Sequence, residues 1–318
     1  MTAGDLHRFS FDGLPVRGAV VRLTASWQEA LRRRATVGPF PSAVRALLGE
    51  MSAAGALMQS AIKFDGALVL QLKGDGPLRM AVAEVTSGLS FRATAQVVDT
   101  IEGAADLDAM VNVDGGGRCA ITLDPRDRPA GKLPYQGIVP LEDAGGVAMR
   151  RLSDALEFYM LQSEQLATRF VLAANDEVAA GLMLQHMPPG ADAERHERPD
   201  PHRPHAEFER LAMLGASLTA EELLGLAPGE ILHRLFWAEQ LRQYQPREVA
   251  FACSCSRARV QGMLVGLGRA EVEDIIAERG EVEVGCDFCG EHYRFDAVDV
   301  GGLFTPARDQ PGSTDTVQ

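Results

Sequence analysis

The sequence predicts an α+β protein with three parts. An N-terminal domain of mixed or antiparallel sheet with helices comes first, then a helical linker region, then a small C-terminal domain organised by cysteines. Three observations carry this. Runs of strand length with apolar–polar alternation recur through the first 187 residues with few helices between them, the pattern of an antiparallel or mixed sheet and not of a doubly wound one. A proline- and charge-rich stretch interrupts the chain at 188–205. Four of the five cysteines gather near the C-terminus.

The elements follow in order. Residues 16–23 read as a strand, and Ser26 with Glu29 reads as a capping box opening a helix. Residues 41–63, rich in Ala, Leu and Met, predict a long, largely buried helix, closed by the turn Phe64-Asp65-Gly66. In the next strand Leu68, Leu70 and Leu72 face one way and Val69, Gln71 and Lys73 the other. Gly74-Asp75-Gly76-Pro77 is a turn. Further strands are expected at 80–85, 91–97, 119–123 and 136–141, a helix at 148–165, and a closing pair of strands at 168–173 and 179–185.

Residues 188–205 hold five prolines among charged residues and no aliphatic side chain larger than Ala. Such a stretch cannot bury enough surface to offset its ordering entropy and is expected to be a mobile linker, with His196, His202 and His205 as solvated residues in it. Residues 206–237 turn helical again. Phe208, Leu211 and Leu218 recur at helical spacing, Thr219 with Glu222 forms a capping box, and Pro228 can open the next helix. Ile231, Leu232, Leu235 and Phe236 form an apolar face that either packs on the first domain or stays partly exposed under regulation. The expected divisions are 1–187 (core), 188–245 (linker region), 246–305 (cysteine domain) and 306–318 (polar tail).

Composition narrows the function. The chain has 31 basic and 44 acidic side chains, a net charge of −13, which argues against sequence-independent nucleic-acid binding. No apolar run reaches the roughly 18 residues of a membrane helix. The N-terminus, with Asp5, His7 and Arg8, lacks the apolar core of a secretory signal, so a cytoplasmic location is expected. No G-x-S-x-G, HExxH or GxGxxG pattern occurs, and an enzyme is not expected. Asp114-Gly115-Gly116-Gly117 lacks the ending of a phosphate loop and reads as a turn. Cys119 opens an apolar strand and reads as a buried core thiol, while Arg32, Arg33 and Arg34 read as a solvated helix face.

The chemistry lies in Cys253-Ser254-Cys255 and Cys286-Asp287-Phe288-Cys289, a CxC and a CxxC separated by 30 residues. Four thiolates suit tetrahedral zinc, with Zn–S of about 2.3 Å and sulfurs about 3.8 Å apart. The CxxC half can close as a tight turn relieved by the flanking Gly285 and Gly290, and the CxC half fits an extended segment after a strand at 249–252. Four thiolates leave no open coordination position, so a catalytic zinc is not expected, and His292 is not needed as a ligand. A purely structural zinc is one reading. The other starts from the susceptibility of thiolates to oxidants: each half holds two nearby sulfurs that can become a disulfide, and oxidation would remove the folding free energy that zinc binding supplies.

Further motifs accompany the cysteines. In chain order they are Leu6-His7-Arg8-Phe9, Lys63-Phe64-Asp65-Gly66, Gly74-Asp75-Gly76-Pro77, Tyr135-Gln136-Gly137-Ile138-Val139, Ser163-Glu164-Gln165-Leu166 and Gly181-Leu182-Met183-Leu184-Gln185, followed by Cys253-Ser254-Cys255-Ser256-Arg257 and Cys286-Asp287-Phe288-Cys289-Gly290. The ordered set spans nearly the whole chain and resembles the 33 kDa chaperonin family, the redox-regulated heat-shock chaperones of bacteria. Ala167 stands where the family pattern has Pro, and Ala258 where an acidic residue is common. The resemblance implies an ATP-independent holdase, inactive while reduced and bound to one zinc ion. Oxidants together with unfolding conditions would then form the disulfides Cys253–Cys255 and Cys286–Cys289, release zinc and unfold the C-terminal region and linker. The active form would bind unfolding client proteins, tend to form a homodimer, and engage neither nucleic acid nor membrane.

The alternative is a zinc ribbon with a structural zinc that binds a protein or nucleic-acid partner. Residues 247–300 hold six arginines against eleven acids, a balance of −5 that disfavours nucleic acid. A third reading, a thiol oxidoreductase using Cys286 and Cys289, lacks the βαβ context it would need.

Overall fold

The alternating runs become two six-stranded sheets, and the one long apolar helix lies between them. The computed structural model describes residues 4–103, 105–129, 131–187 and 206–305. The elements are β1 (Gly4–Phe11), β2 (Val16–Leu23), α1 (Ala25–Arg34), α2 (Ser42–Ala61), β3 (Gly66–Lys73), β4 (Leu78–Thr86), β5 (Ser90–Val97), α3 (Leu107–Val111), β6 (Arg118–Pro125), β7 (Tyr135–Pro140), α4 (Leu152–Ser163), β8 (Thr168–Ala174) and β9 (Ala179–His186). They continue with α5 (Ala206–Ala216), α6 (Ala220–Gly225), α7 (Pro228–Phe236), β10 (Leu241–Gln243), β11 (Arg247–Glu248), β12 (Ala250–Phe251), α8 (Arg257–Leu267), α9 (Arg269–Arg279), β13 (Val282–Gly285), β14 (His292–Phe295) and α10 (Ala297–Leu303). The α+β class expected from the sequence is the observed one.

The first sheet runs β10-β1-β2-β9-β8, with β11 also on β1; the second runs β12-β5-β4-β3-β6-β7. Neighbours are antiparallel except β12, which lies parallel to β5 and makes that sheet mixed. α2 is apolar around most of its surface because most of it is covered; Arg45, Ala46 and Glu50 are only partly so. Two of its glycines allow the close approach: a Cβ at Gly49 would lie 2.5 Å from Ala174 Cβ of β8, and one at Gly55 2.7 Å from Val85 Cγ2 of β4. Leu6, Val21 and Leu23 of one sheet and Leu68, Leu70 and Leu72 of the other join α2 in one core. The far side of the first sheet carries a second core, where Phe9, Phe11, Val20, Leu182 and Leu184 meet Phe208, Leu223, Ile231 and Phe236 of α5–α7. The apolar helical face of 231–236 is therefore packed, the first of the two readings open from sequence.

Several expectations change. The chain divides into two compact units at 252/253, so helices α5–α7 and residues 246–252, assigned from sequence to the linker region and the start of the cysteine domain, belong to the first unit. The cause is strand pairing: Leu6 pairs with Arg247, Phe9 with Gln243 and Phe91 with Phe251, contacts between residues far apart in sequence. The strand β1 was not read from the sequence at all. α1 starts at Ala25, and Glu29 makes no capping box there; its carboxylate accepts from Arg32 and Arg33, each at 2.7 Å. The helix expected at 148–165 starts at Leu152, because Ala148 bridges Glu142 and Met149 donates to the Leu141 carbonyl. The capping box of Thr219 and Glu222 and the opening of α7 by Pro228 are both present. The linker at 188–205 with its three histidines, and the tail from 306, lie outside the described residues.

The second unit is small. β13 and β14 form a hairpin, and Val260, Leu264, Val272, Val282, Phe295 and Val300 make its buried core with α8–α10.

Candidate metal centre

All four cysteines of the two motifs sit in the second unit. Cys253 and Cys255 lie on the extended segment between β12 and α8, where side chains two residues apart share a face. The segment is held from its far end: Ser256 caps α8, its Oγ accepting from the Arg259 amide at 3.2 Å, and Arg259 donates to Ser254 Oγ at 2.7 Å. Cys286 and Cys289 occupy the turn of the β13–β14 hairpin. The Cys286 carbonyl accepts from Gly290 N at 2.8 Å and the Cys286 amide donates to the Glu291 carbonyl at 2.8 Å. Gly290 has φ +72°, where a Cβ is disfavoured, whereas Gly285 has ordinary strand geometry, so only one of the two flanking glycines is conformationally required.

The sulfurs converge. Cys253 Sγ lies 3.6 Å from Cys286 Sγ, Cys255 Sγ lies 3.4 Å from Cys289 Sγ, and all four lie within 4.8 Å of one another. That spacing brackets the roughly 3.8 Å between sulfurs of a tetrahedral thiolate site. Cys289 is buried and the other three are half-buried. Burial opposes ionisation at Cys253, but the Cys255 amide and neighbouring thiols outweigh it and hold that thiol below the ordinary range. Burial chiefly, with the adjacent sulfurs, pushes Cys286 and Cys289 up. Four thiolates this close repel one another, and a cation among them relieves the repulsion. The donor set therefore fits a metal ion closed by sulfur.

Two neighbours support the cluster. The Tyr293 hydroxyl donates to Cys255 Sγ at 3.2 Å, and this bond, first among its causes, pushes the phenol above its usual range. Sequence reading missed Tyr293; its place follows from the hairpin register that sets it opposite Val284. The Arg257 guanidinium lies 4.2 Å from the centre of the Phe295 ring, donates to the Arg294 carbonyl at 2.8 Å and binds Asp299 at 2.7 Å. It ties α8 to β14 and α10. His292 faces Glu283 at 2.9 Å and is not among the clustered ligands.

The remaining sequence features fall elsewhere. Cys119 is buried in β6, paired in register with Leu72 and Val139, and burial pushes its thiol up to about 12. The amides of Asp114 and Gly116 donate to the Asp75 carboxylate at 3.2 and 2.7 Å, so an acid occupies the loop that a phosphate would need. Arg34 lies over Phe40. Among the described residues no helix is long and apolar enough to cross a membrane.

A sequence model described as Hsp33 protein matches residues 4–296. The chain is 45% identical over 300 residues to the 33 kDa chaperonin of Chromobacterium violaceum, covering 94% of this chain and 93% of that protein. It is 42% identical over 309 residues to the 33 kDa chaperonin of Methylobacillus flagellatus, covering 97% of each. The crystal structure of the 33 kDa chaperonin (heat shock protein 33 homolog) from Thermotoga maritima shares the fold, with a TM-score of 0.74 over 95% of this chain and 98% of that one at 23% identity.

Proposed function

The chain belongs to the Hsp33 family of chaperones, and on that premise we propose that it is an ATP-independent holdase switched on by oxidation of its four cysteines. The convergence of the four sulfurs within 4.8 Å carries this reading. Zinc, held by Cys253, Cys255, Cys286 and Cys289, would keep the thiols as thiolates and add its binding free energy to the folding of the second unit. Beyond those cysteines the described residues of that unit have only the small core around Val260, Leu264 and Phe295, and a domain of this size rarely holds itself together on such a core.

The switch is a two-electron oxidation at each half-site. Two thiolates give two electrons to hydrogen peroxide, its O–O bond breaks, two protons from solvent complete two waters, and one S–S bond forms. In the family pairing, Cys253 joins Cys255 and Cys286 joins Cys289. A sulfur in a disulfide is no longer an anionic ligand, so the second unit loses its main source of stability. Loosening that passes to residues 206–245 would lift α5–α7 and uncover Phe9, Phe11, Val20 and Leu184, an apolar sheet face suited to unfolding clients. A cytoplasmic location, which keeps the thiols reduced until stress, and a homodimer in the oxidised state complete the reading. A structural zinc that supports a partner-binding ribbon is the second reading, supported by the closed four-sulfur donor set.

The test is light scattering from a thermally unfolding client without ATP. One zinc-loaded preparation is measured before and after warm peroxide treatment. Protection is expected only after oxidation, and is lost if the protein is reduced before client is added. Equal protection in both states removes the switch, and no protection in either leaves the partner-binding ribbon.

A further inference from the structure

A cleft of about 940 Å³ opens on the first unit; α2, α3, α4, β8 and the turn after β8 form most of its wall, and Ala216, Leu218 and Ala220 of the α5–α6 segment the remainder. Every arginine lining it is neutralised by a carboxylate. Arg45 holds Asp176 through two bonds of 2.7 and 2.8 Å, Arg150 holds Asp106 at 3.1 Å, Arg151 holds Asp154 at 2.9 Å, and Arg169 holds Glu157 at 2.8 Å. Glu157 also accepts from the Phe170 amide at 2.8 Å. Glu50 differs. Among the described residues no hydrogen bond or ion pair reaches its carboxylate; it interacts only at longer range with Arg151, which already holds Asp154. Burial pushes the Glu50 carboxyl up to about 7, as expected of an acid without a close cation. Glu177, exposed at the rim, adds the same sign. Each lining arginine is thus matched by an acid while Glu50 and Glu177 are left over, beside partly buried apolar side chains, among them Ala46 and Leu172.

A half-buried carboxylate without a partner is costly to ionise, and a cationic ligand that supplied the missing charge would lower that cost. We propose that this cleft takes an extended segment of an unfolding protein, seating a lysine or arginine side chain on Glu50 and the apolar neighbours of that side chain along Ala46 and Leu172. The inference rests on the holdase reading and names one surface by which it would be selective. Apolar walls accept many sequences, and the single carboxylate favours segments that carry a basic residue over those that carry an acidic one.

The test is fluorescence polarisation with the full-length oxidised protein, on a preparation already checked for suppression of client aggregation. The probe is a fluorescein-labelled heptapeptide of leucine and alanine with arginine at its centre. Controls carry citrulline, the uncharged isostere, or glutamate there. The arginine peptide is expected to bind about tenfold tighter than the citrulline peptide, a difference of about 1.4 kcal/mol, and Glu50→Gln to bring the two together. Equal affinities on the unaltered protein, a ratio untouched by Glu50→Gln, or preference for the glutamate peptide would each overturn the proposal. Should Glu50→Gln not fold, a benzophenone placed on the arginine peptide locates its site on the unaltered chain; crosslinks within α2 or β8 support the cleft, and crosslinks confined elsewhere refute it. Suppression of aggregation without arginine preference removes the cleft and leaves the holdase, whereas absence of suppression in every redox state removes the holdase itself.

Discussion

Cys286 makes the metal centre's most direct test. Its sulfur sits 3.6 Å from that of Cys253, and its backbone closes the hairpin turn at both the amide and the carbonyl. Cys286→Ser is expected to lose tightly bound metal and to loosen the second unit, with the first unit still folded. Metal content and limited proteolysis together check this, and a variant that keeps one tight metal ion would refute the four-thiolate site. Tyr293 makes a finer test, since outer groups that orient metal ligands are worth about 10- to 100-fold in affinity. Tyr293→Phe removes the donor to Cys255 while keeping the ring. It should retain metal but release it to a competing chelator about tenfold faster. The cysteines were legible because metal chemistry restricts both residue type and spacing. Tyr293 was not, because its hydroxyl reaches Cys255 only after residues 38 positions apart are brought together.

Capping separates the legible elements from the illegible ones. Thr219 and Glu222 pair as their spacing suggests, whereas Ser26 and Glu29, of the same spacing, do not, because α1 starts at Ala25 with Thr24 at the cap position and Ser26 lies inside its first turn, leaving the Glu29 carboxylate to Arg32 and Arg33. Thr219→Ala should lower the stability of the first unit by about 1 kcal/mol in urea unfolding. Packing of α7 is worth more. The Phe236 ring lies 5.1 Å from that of Phe11 at nearly a right angle and 5.9 Å from that of Phe9. Phe236→Ala should cost about 3–5 kcal/mol if the helix stays docked, as for a filled core site. A much smaller loss in reduced protein would mean that α7 leaves the sheet before oxidation. Amphipathic spacing identified the apolar face of this helix but not that it is buried, since its partner β1 is not evident from local pattern.

At the scale of the whole molecule, charge makes stability depend on pH in a particular sense. Burial raises Glu50 and Glu157 to about 7 from an ordinary 4.5. Between those values the folded first unit holds protons that the unfolded chain has released, so stability falls as pH rises from about 4.5 to about 7. The carboxylates depressed by their partners, Glu29 by Arg32 and Arg33 and Asp176 by Arg45, act in the opposite sense below that window, where stability falls as pH falls. The urea midpoint of the first unit should therefore be higher near pH 5 than near pH 7.5, and Glu50→Gln should flatten the slope. A midpoint that rises over this range would contradict the burial of both acids. The two units should also respond separately, with metal removal lowering the protease resistance of 253–305 ahead of that of the first unit.

Local pattern alone determined the strands β2–β9 to within a few residues, the long helix α2, the helical run after 205, and the four cysteines with the chemistry they permit. These follow from side-chain periodicity and donor chemistry, which a short window of sequence contains. Tertiary structure alone decided that β10–β12 close the two sheets, that α5–α7 lie on the far face of the first sheet, that the second unit starts at Cys253, and that Glu50 faces a cleft without a partner. Each of those depends on pairing between segments far apart in the chain, where two- and three-residue strands carry no periodicity of their own. Pairs such as Arg45 with Asp176 and Arg169 with Glu157 are settled only when the fold brings the two residues together.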